Sequence, residues 1–413
     1  MKPTTFMLIA GEASGDLLAA ELVKALQASF LEAESYLTDD VQPLRTALAP
    51  RFFGAGGPRM AAAGVELAFD MTQHAVIGLS DVLKKYSEFR QLFNQLLKLA
   101  IERQPDVIIC VDFSGFNRRF AHAVKQYVRA RQSWFKNWNP AIVQYVSPQV
   151  WASRPSRAYQ LAEDIDLLLS IFPFEKDWYA RRVPKLRVEF VGHPLVDRYA
   201  SAERGIRNAE FNGTSSSLRH PSASPTVLLL PGSRTAELRR HLPVLTRALT
   251  IMRAEIPGLH ARIVLPGGFL VEQANALALP PDLEIQSGGL AESLAEADLA
   301  LTKSGTITLE CACFGVPAVV FYKTSWPTYL AAKLSARVNH IAMPNLLANE
   351  EIFPEFIQSA ATPENIAQAG LDLLRNGTRR SNIKARLAEI AASLGGPGAS
   401  ARGANAILKL RSR

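Results

Sequence analysis

The sequence predicts two doubly wound α/β domains, each a parallel sheet covered by helices, and three observations lead there. Short apolar runs alternate with stretches of helical periodicity, the pattern of βαβ units. The 413 residues exceed what one ordinary hydrophobic core organises. A polar segment at 201–225, with Thr214-Ser215-Ser216-Ser217, Pro221 and Pro225, supplies a joint.

The apolar runs place strands at 6–10, 107–111, 141–146 and 167–171 in the first half. In the second half they fall at 226–230, 261–265, 283–286, 299–302 and 318–321. The expected layout is a first domain at 1–200, a linker or insertion at 201–225, and a second domain at 226–375. A basic, helically patterned tail at 376–413, interrupted at Gly395-Gly396-Pro397-Gly398, packs back or mediates dimer contacts. Two further stretches, 37–50 and 131–140 (with Trp134 and Trp138), read as loop insertions.

Composition narrows the function classes. Hydrophobic residues at 48% and charged residues at 20% are those of a folded chain and exclude disorder over most of it. A formal net charge of +8 calls for an anionic partner. Phosphate, nucleic acid and an anionic membrane face all satisfy it, and charge alone does not choose. Cys110 closes an apolar run and reads as a buried strand residue. Cys311 and Cys313 are two apart in a helical pattern, where such neighbours do not face each other. Without a disulfide pattern, a reducing cytoplasm is the expected compartment. The apolar stretch near the N-terminus is too short for a signal peptide. No uncharged apolar run reaches the roughly 18–20 residues of a membrane span, so membrane contact is expected to be peripheral.

Four motifs carry chemistry. The first strand runs into Ala10-Gly11-Glu12-Ala13-Ser14-Gly15-Asp16 and then a helical pattern. Glycines there let backbone approach a ligand, and Glu12 stands at the carboxyl end of a strand, where open α/β sheets bind ligands. A simple helix cap by Ser14 or Asp16 explains the same residues. Asp112, in Val111-Asp112-Phe113-Ser114-Gly115-Phe116-Asn117, is a second carboxylate at a strand end, able to take a proton from a sugar hydroxyl or to cap the next helix. In the second domain, Gly232 and Ser233 offer amides and a hydroxyl, and Arg234 a fork for phosphate oxygens. Ser304-Gly305-Thr306 follows a strand and opens a helix, either a plain Ser/Thr cap or a diphosphate-binding arrangement, with Glu310 one to two turns further on, within reach of a ribose. No P-loop or dinucleotide fingerprint occurs, and no histidine cluster offers a seat for a catalytic metal.

Between 79 and 97 apolar residues recur at helical spacing, among them Val82, Leu83, Tyr86, Phe89 and Phe93. The stripe either packs on its own sheet or forms an interfacial patch whose flanking cations meet anionic headgroups.

Eight motifs in register resemble the bacterial lipid-A-disaccharide synthase family. They are Ala10 to Asp16, Gly57-Pro58-Arg59-Met60, Tyr145-Val146-Ser147-Pro148-Gln149-Val150-Trp151-Ala152, Pro173-Phe174-Glu175-Lys176 and Val191-Gly192-His193-Pro194-Leu195. Leu230-Pro231-Gly232-Ser233-Arg234, Ser304-Gly305-Thr306 with Leu309-Glu310, and Met343-Pro344-Asn345-Leu346-Leu347 complete the set. The resemblance implies a GT-B fold, two Rossmann-like domains facing across a cleft. It implies transfer of 2,3-diacylglucosamine from its UDP derivative to the 6-hydroxyl of 2,3-diacylglucosamine 1-phosphate, with inversion and release of UDP. No cofactor or metal is implied; the UDP-sugar is a substrate.

The family's essential aspartate falls on Asp112, as general base or its close support, and Glu12 matches an N-terminal-loop glutamate. Its nucleotide-site arginine falls on Arg234 and the asparagine of its M-P-N-L-L stretch on Asn345. Ser14, Gly15, Gly232, Ser233, Ser304, Gly305, Thr306 and Glu310 complete the expected nucleotide and diphosphate set. The stripe at 79–97 becomes the expected landing area for acyl chains. The implied partners are the two acylated sugars and, peripherally, the inner face of the bacterial inner membrane, with no nucleic acid; a homodimer is left open. Ser114 departs from the proline of many relatives. The rival enzyme is a UDP-N-acetylglucosamine 2-epimerase of the same architecture. A basic nucleic-acid-binding protein is the rival outside enzymes, disfavoured by charge that is spread rather than clustered.

Overall fold

Strands covered on both faces by helices read as unbroken apolar runs, and the middle strands of both sheets are buried but for single half-buried end residues. A computed structural model describes residues 3–35, 49–72, 82–131, 137–199, 224–277, 279–280 and 282–411, side chains 33–35, 82–88 and 411 excepted. The chain divides into two compact units, one of residues 1–194 with 395–413 and one of residues 195–394.

The first unit holds a seven-stranded sheet of β1 (Thr5–Ala10), β2 (Arg51–Gly56), β3 (Glu66–Asp70), β4 (Val107–Val111), β5 (Ala141–Tyr145), β6 (Leu167–Ser170) and β7 (Val188–Phe190). Its spatial order is β3-β2-β1-β4-β5-β6-β7, with every pair parallel. The second unit holds β8 (Thr226–Leu230), β9 (His260–Leu265), β10 (Glu284–Ser287), β11 (Leu299–Lys303), β12 (Ala318–Tyr322) and β13 (Glu355–Ile357). They run β10-β9-β8-β11-β12-β13, again all parallel. In each sheet the strand order reverses once, between β1 and β4 and between β8 and β11. Loops leaving the carboxyl ends of those strands flank the crevice where open α/β sheets bind ligands. The four sequence motifs fall on those four loops.

Three expectations bear on this architecture. The division between units falls at Pro194/Leu195 and Leu394/Gly395, so the tail splits. Helix Gly377–Ser393 buries Ile383, Leu387 and Ile390 in the second core, whereas helix Ala399–Arg411 lies against helix Ala13–Ser35 of the first unit. Gly395, at φ +85°, makes the turn between them, where its Cα side meets Gly192. Residues 201–223 of the expected linker and 37–48 and 132–136 of the expected insertions lie outside the described residues. Trp138, from the same stretch, anchors by donating its indole N–H to Pro105 O at 3.0 Å.

The amphipathic stripe is the third. In helix Val82–Arg103, Phe93 meets the rings of Phe116 and Phe120 at 5.4 and 5.9 Å, Phe89 lies 6.5 Å from Phe113, and Leu96 and Ala100 are buried. Phe89 and Phe93, both half-buried, therefore turn one side to the unit's own core. The side chains of Val82, Leu83 and Tyr86 lie outside the described residues. Among those described, no helix is long and apolar enough to cross a membrane.

Candidate active site

In the first unit, β1 and β4 end side by side and deliver Glu12 and Asp112 to one switch point. Asp112 and Phe113 are consecutive residues in the left-handed region, at φ 48° and 44°. Such conformations cost an L-residue of order 1 kcal/mol each, so the surroundings must hold them. They do. The Asp112 N–H donates to Tyr145 O at 2.9 Å. Its carbonyl accepts from the Asn117 amide at 2.9 Å and the Gln144 amide at 3.3 Å. Asn117, fully buried, also reaches Ile9 O and Val111 O, tying together the ends of β1 and β4. Gly11 is required here: a Cβ would fall 2.3 Å from the Phe113 ring. Burial pushes the Asp112 carboxyl above the usual range, and the nearby negative charge of Glu12 pushes the same way, against a hydrogen bond from the Phe113 backbone. A carboxylate so raised is a stronger proton acceptor at neutral pH.

The rest of that first motif divides. Glu12 and Ser14 are exposed at the start of helix Ala13–Ser35, and Gly15 is buried close to Val111 O. Asp16 faces inward and caps a different helix, accepting from the backbone N–H groups of Gly57, Arg59 and Met60 at 2.8, 3.0 and 3.0 Å. This explains Gly57-Pro58-Arg59-Met60 as a structural partner of the first loop.

In the second unit, the Pro231-Gly232-Ser233-Arg234 loop after β8 is fastened from below. The Ser233 N–H donates to Glu237 Oε2 at 3.1 Å, and Gly232, at φ 130°, leaves room for that carboxylate, which a Cβ would approach to 2.3 Å. Arg234 stands exposed before helix Thr235–Glu255. The other Glu237 oxygen receives Lys303 Nζ at 3.3 Å, from the end of β11. Lys303 thus bridges the two loops and brings a cation beside Gly305, whose own φ is 147°. His241, buried, donates from Nδ1 to Pro231 O at 2.7 Å and accepts at Nε2 from the Lys323 N–H at 3.2 Å, the tautomer set by these partners. Burial pushes its pKa down and keeps the ring neutral.

Ser304 donates to Ile341 O at 2.7 Å, and Thr306 is exposed before helix Ile307–Cys313. Glu310 accepts from the Tyr199 hydroxyl. Burial raises both pKa values, and for Tyr199 the carboxylate adds to it. Asn345 departs from expectation. It is fully buried, donates to Phe353 O and Glu355 Oε1 at 2.8 Å each, and accepts from the N–H groups of Ile352 and Phe353 at 3.0 and 2.9 Å. With its amide saturated inside the fold, it holds the 352–353 backbone and Glu355 and is not placed as a nucleotide contact. Glu237, His241, Asn117 and Lys303 were missed by sequence reasoning. Only Lys303 gave a signal, as a cation ending a strand before Ser-Gly-Thr.

The family model described as Lipid-A-disaccharide synthetase matches residues 6–406. The chain belongs to this family. Family members carry it closely: the lipid-A-disaccharide synthase of Myxococcus xanthus (strain DK1622) is 34% identical over 414 residues, 99% of this chain and 98% of that protein. Among solved structures, the calicheamicin glycosyltransferase CalG4 superposes with a TM-score of 0.56 at 15% identity, over 100% of this chain and 99% of that one. The UDP-GlcNAc 2-epimerase from Neisseria meningitidis, bound to UDP-GlcNAc, gives 0.58 at 12% identity, over 99% of this chain and 100% of that one. These likenesses establish the fold, a GT-B pair of Rossmann-like domains, which transferases and epimerases share. Membership of the synthase family rests on the sequence match, and it makes the chain a glycosyltransferase.

Proposed function

We propose that the protein transfers 2,3-diacylglucosamine from its UDP derivative to the 6-hydroxyl of 2,3-diacylglucosamine 1-phosphate, inverting the anomeric centre and releasing UDP. Asp112 accepts the 6-hydroxyl proton as that oxygen bonds to the sugar carbon and the bond to the UDP oxygen breaks. Arg234 and Lys303, with the amides of Gly232, Ser233 and Gly305, meet the charge that grows on the departing diphosphate, a role that electrostatics fills without a metal. Glu310 binds the ribose after exchanging its bond to Tyr199. Glu12 and Ser14 sit beside the acceptor. The lipid-borne substrates bring the protein peripherally to the cytoplasmic face of the inner membrane.

The observation that carries this reading is the family match over residues 6–406, with the loops of Glu12 and Asp112 leaving adjacent strands at the switch point of the first sheet. The test is UDP release from the diacylated UDP-sugar with and without the acceptor. Release that requires acceptor supports transfer, and acceptor-independent turnover defeats it. Asp112→Asn should lower kcat by roughly 10²–10⁴-fold while UDP binding persists; undiminished turnover removes Asp112 from the proton transfer.

A further inference from the structure

Helix Trp326–Ser335 buries none of its residues. A ten-residue helix is marginal in water and normally owes its persistence to a packed face, so its surroundings matter. At its root, Gln358 clamps Thr324 through both backbone groups, at 3.0 Å to the N–H and 2.9 Å to the carbonyl. The Lys323 ammonium is seated on Gln358 O and Ala361 O at 3.2 and 3.1 Å. Beyond the far end, Glu355 holds the N–H groups of Ile341 and Ala342 at 2.9 and 2.8 Å. The segment is fastened at both ends and held out from the unit.

What it holds out is apolar. Six large hydrophobic side chains are exposed among the described residues, and three of them are here: Trp326 at 58%, Leu330 at 52% and Leu334 at 89%. The others, Leu31, Tyr159 and Phe269, are scattered singly, which is ordinary for a protein surface. Spacings of four residues put Trp326, Leu330 and Leu334 on one side of the helix, with Tyr329 alongside. Charge selects the partner. Between Glu310 and Glu350 the sequence has no aspartate or glutamate. Lys333 and Arg337 are exposed at the end of the apolar face. A second copy docking face to face would set these cations against themselves; an anionic lipid surface would neutralise them while taking up the tryptophan and leucines.

We propose that helix Trp326–Ser335 is the element by which the second unit docks on an anionic bilayer, a role that rests on the lipid-linked substrates proposed above. The test uses the full chain and vesicles of phosphatidylethanolamine with phosphatidylglycerol, against vesicles of phosphatidylcholine alone. Two variants are compared with wild type, Trp326→Ser/Leu330→Ser/Leu334→Ser and Lys333→Glu/Arg337→Glu. The expected result is cosedimentation with the anionic vesicles that falls roughly tenfold or more in each variant. Melting curves should stay unchanged, because no substituted side chain is buried. UDP release on detergent-dispersed substrates should stay at the wild-type level, so that a failed transfer assay and a failed docking assay remain separate. Wild-type binding retained by both variants, or no wild-type binding at all, overturns the proposal. So does a lipid-free dimer of the wild type that the triple variant converts to monomer, which would assign the face to a second copy.

Discussion

Glu175 offers the sharpest perturbation of the first unit. It is fully buried beneath the Ser147-Pro148-Gln149-Val150-Trp151 turn. One carboxyl oxygen accepts from the Trp151 indole at 2.9 Å, and the other lies 2.7 Å from Ser170 Oγ. Ser170 Oγ is also 2.7 Å from Phe172 O. A hydroxyl has one hydrogen and a carbonyl can only accept, so both short contacts are hydrogen bonds only when Glu175 carries the proton and donates to Ser170. Burial raises its pKa from 4.5 to about 7, against the polar contacts with Ser170, Trp151 and Ser147.

The sign follows. Below the unfolded value both states hold the proton and folding is not penalised. As pH rises from 4.5 to about 7, the unfolded chain releases its proton while the folded one keeps it. Stability falls at about 1.4 kcal/mol per pH unit and then levels off, a loss of roughly 3 kcal/mol. Glu175→Gln supplies the same donor and acceptor with no charge to bury. Urea unfolding of both proteins at pH 4.5 and pH 8 should show the variant gaining roughly 3 kcal/mol on wild type between the two. Parallel pH profiles for the two proteins would refute a protonated Glu175.

Three more perturbations test the site. Glu12→Gln removes the charge that adds to burial at Asp112, so the acid limb of kcat/KM, where activity falls with falling pH, should move to lower pH; an unmoved limb denies the coupling. Arg234→Lys keeps the charge but loses the fork, and kcat/KM for the UDP-sugar should drop about 10–100-fold, with UDP titration as the check. Asn345→Ala strands the Phe353 N–H and carbonyl inside the second unit, weakens the hold on the Ile352 N–H, and should cost about 2–4 kcal/mol in urea unfolding. A stable Asn345→Ala protein with weakened UDP binding would instead return that residue to the nucleotide site.

The middle of each sheet was legible because burial on both faces writes itself as an apolar run. β1, β4, β5, β6, β8, β9, β10, β11 and β12 all lie within a residue or two of their expected places. β2 was not read, since Gly54 and Gly56 break its apolar signal; the first glycine exists because a Cβ would come within 1.9 Å of Leu8 O. β3, β7 and β13 were missed as short or half-buried edge strands of five, three and three residues. At the site, motif position placed Asp112 and Arg234 on switch-point loops. Their supports were invisible, because Asp16 reaches across 41 residues to Gly57 and Lys303 across 66 to Glu237. The stripe at 79–97 shows the limit of periodicity: a helix packed on its sheet and one lying on a membrane have the same spacing.

The return of the chain to the first unit sets an order of assembly. A Cβ on Gly403 in the last helix would already stand 3.4 Å from Leu22 and 3.6 Å from Leu169, and Arg402 donates to Val191 O at 2.7 Å. That wall of the first unit is made only after the 200 residues of 195–394 have been synthesised. At typical ribosomal rates the first unit waits roughly 10–40 s with one flank uncovered. The second unit, contiguous in sequence, can finish first. A nascent chain stalled before Gly395 therefore carries an open apolar flank on its older half, a feature that chaperones and proteases recognise.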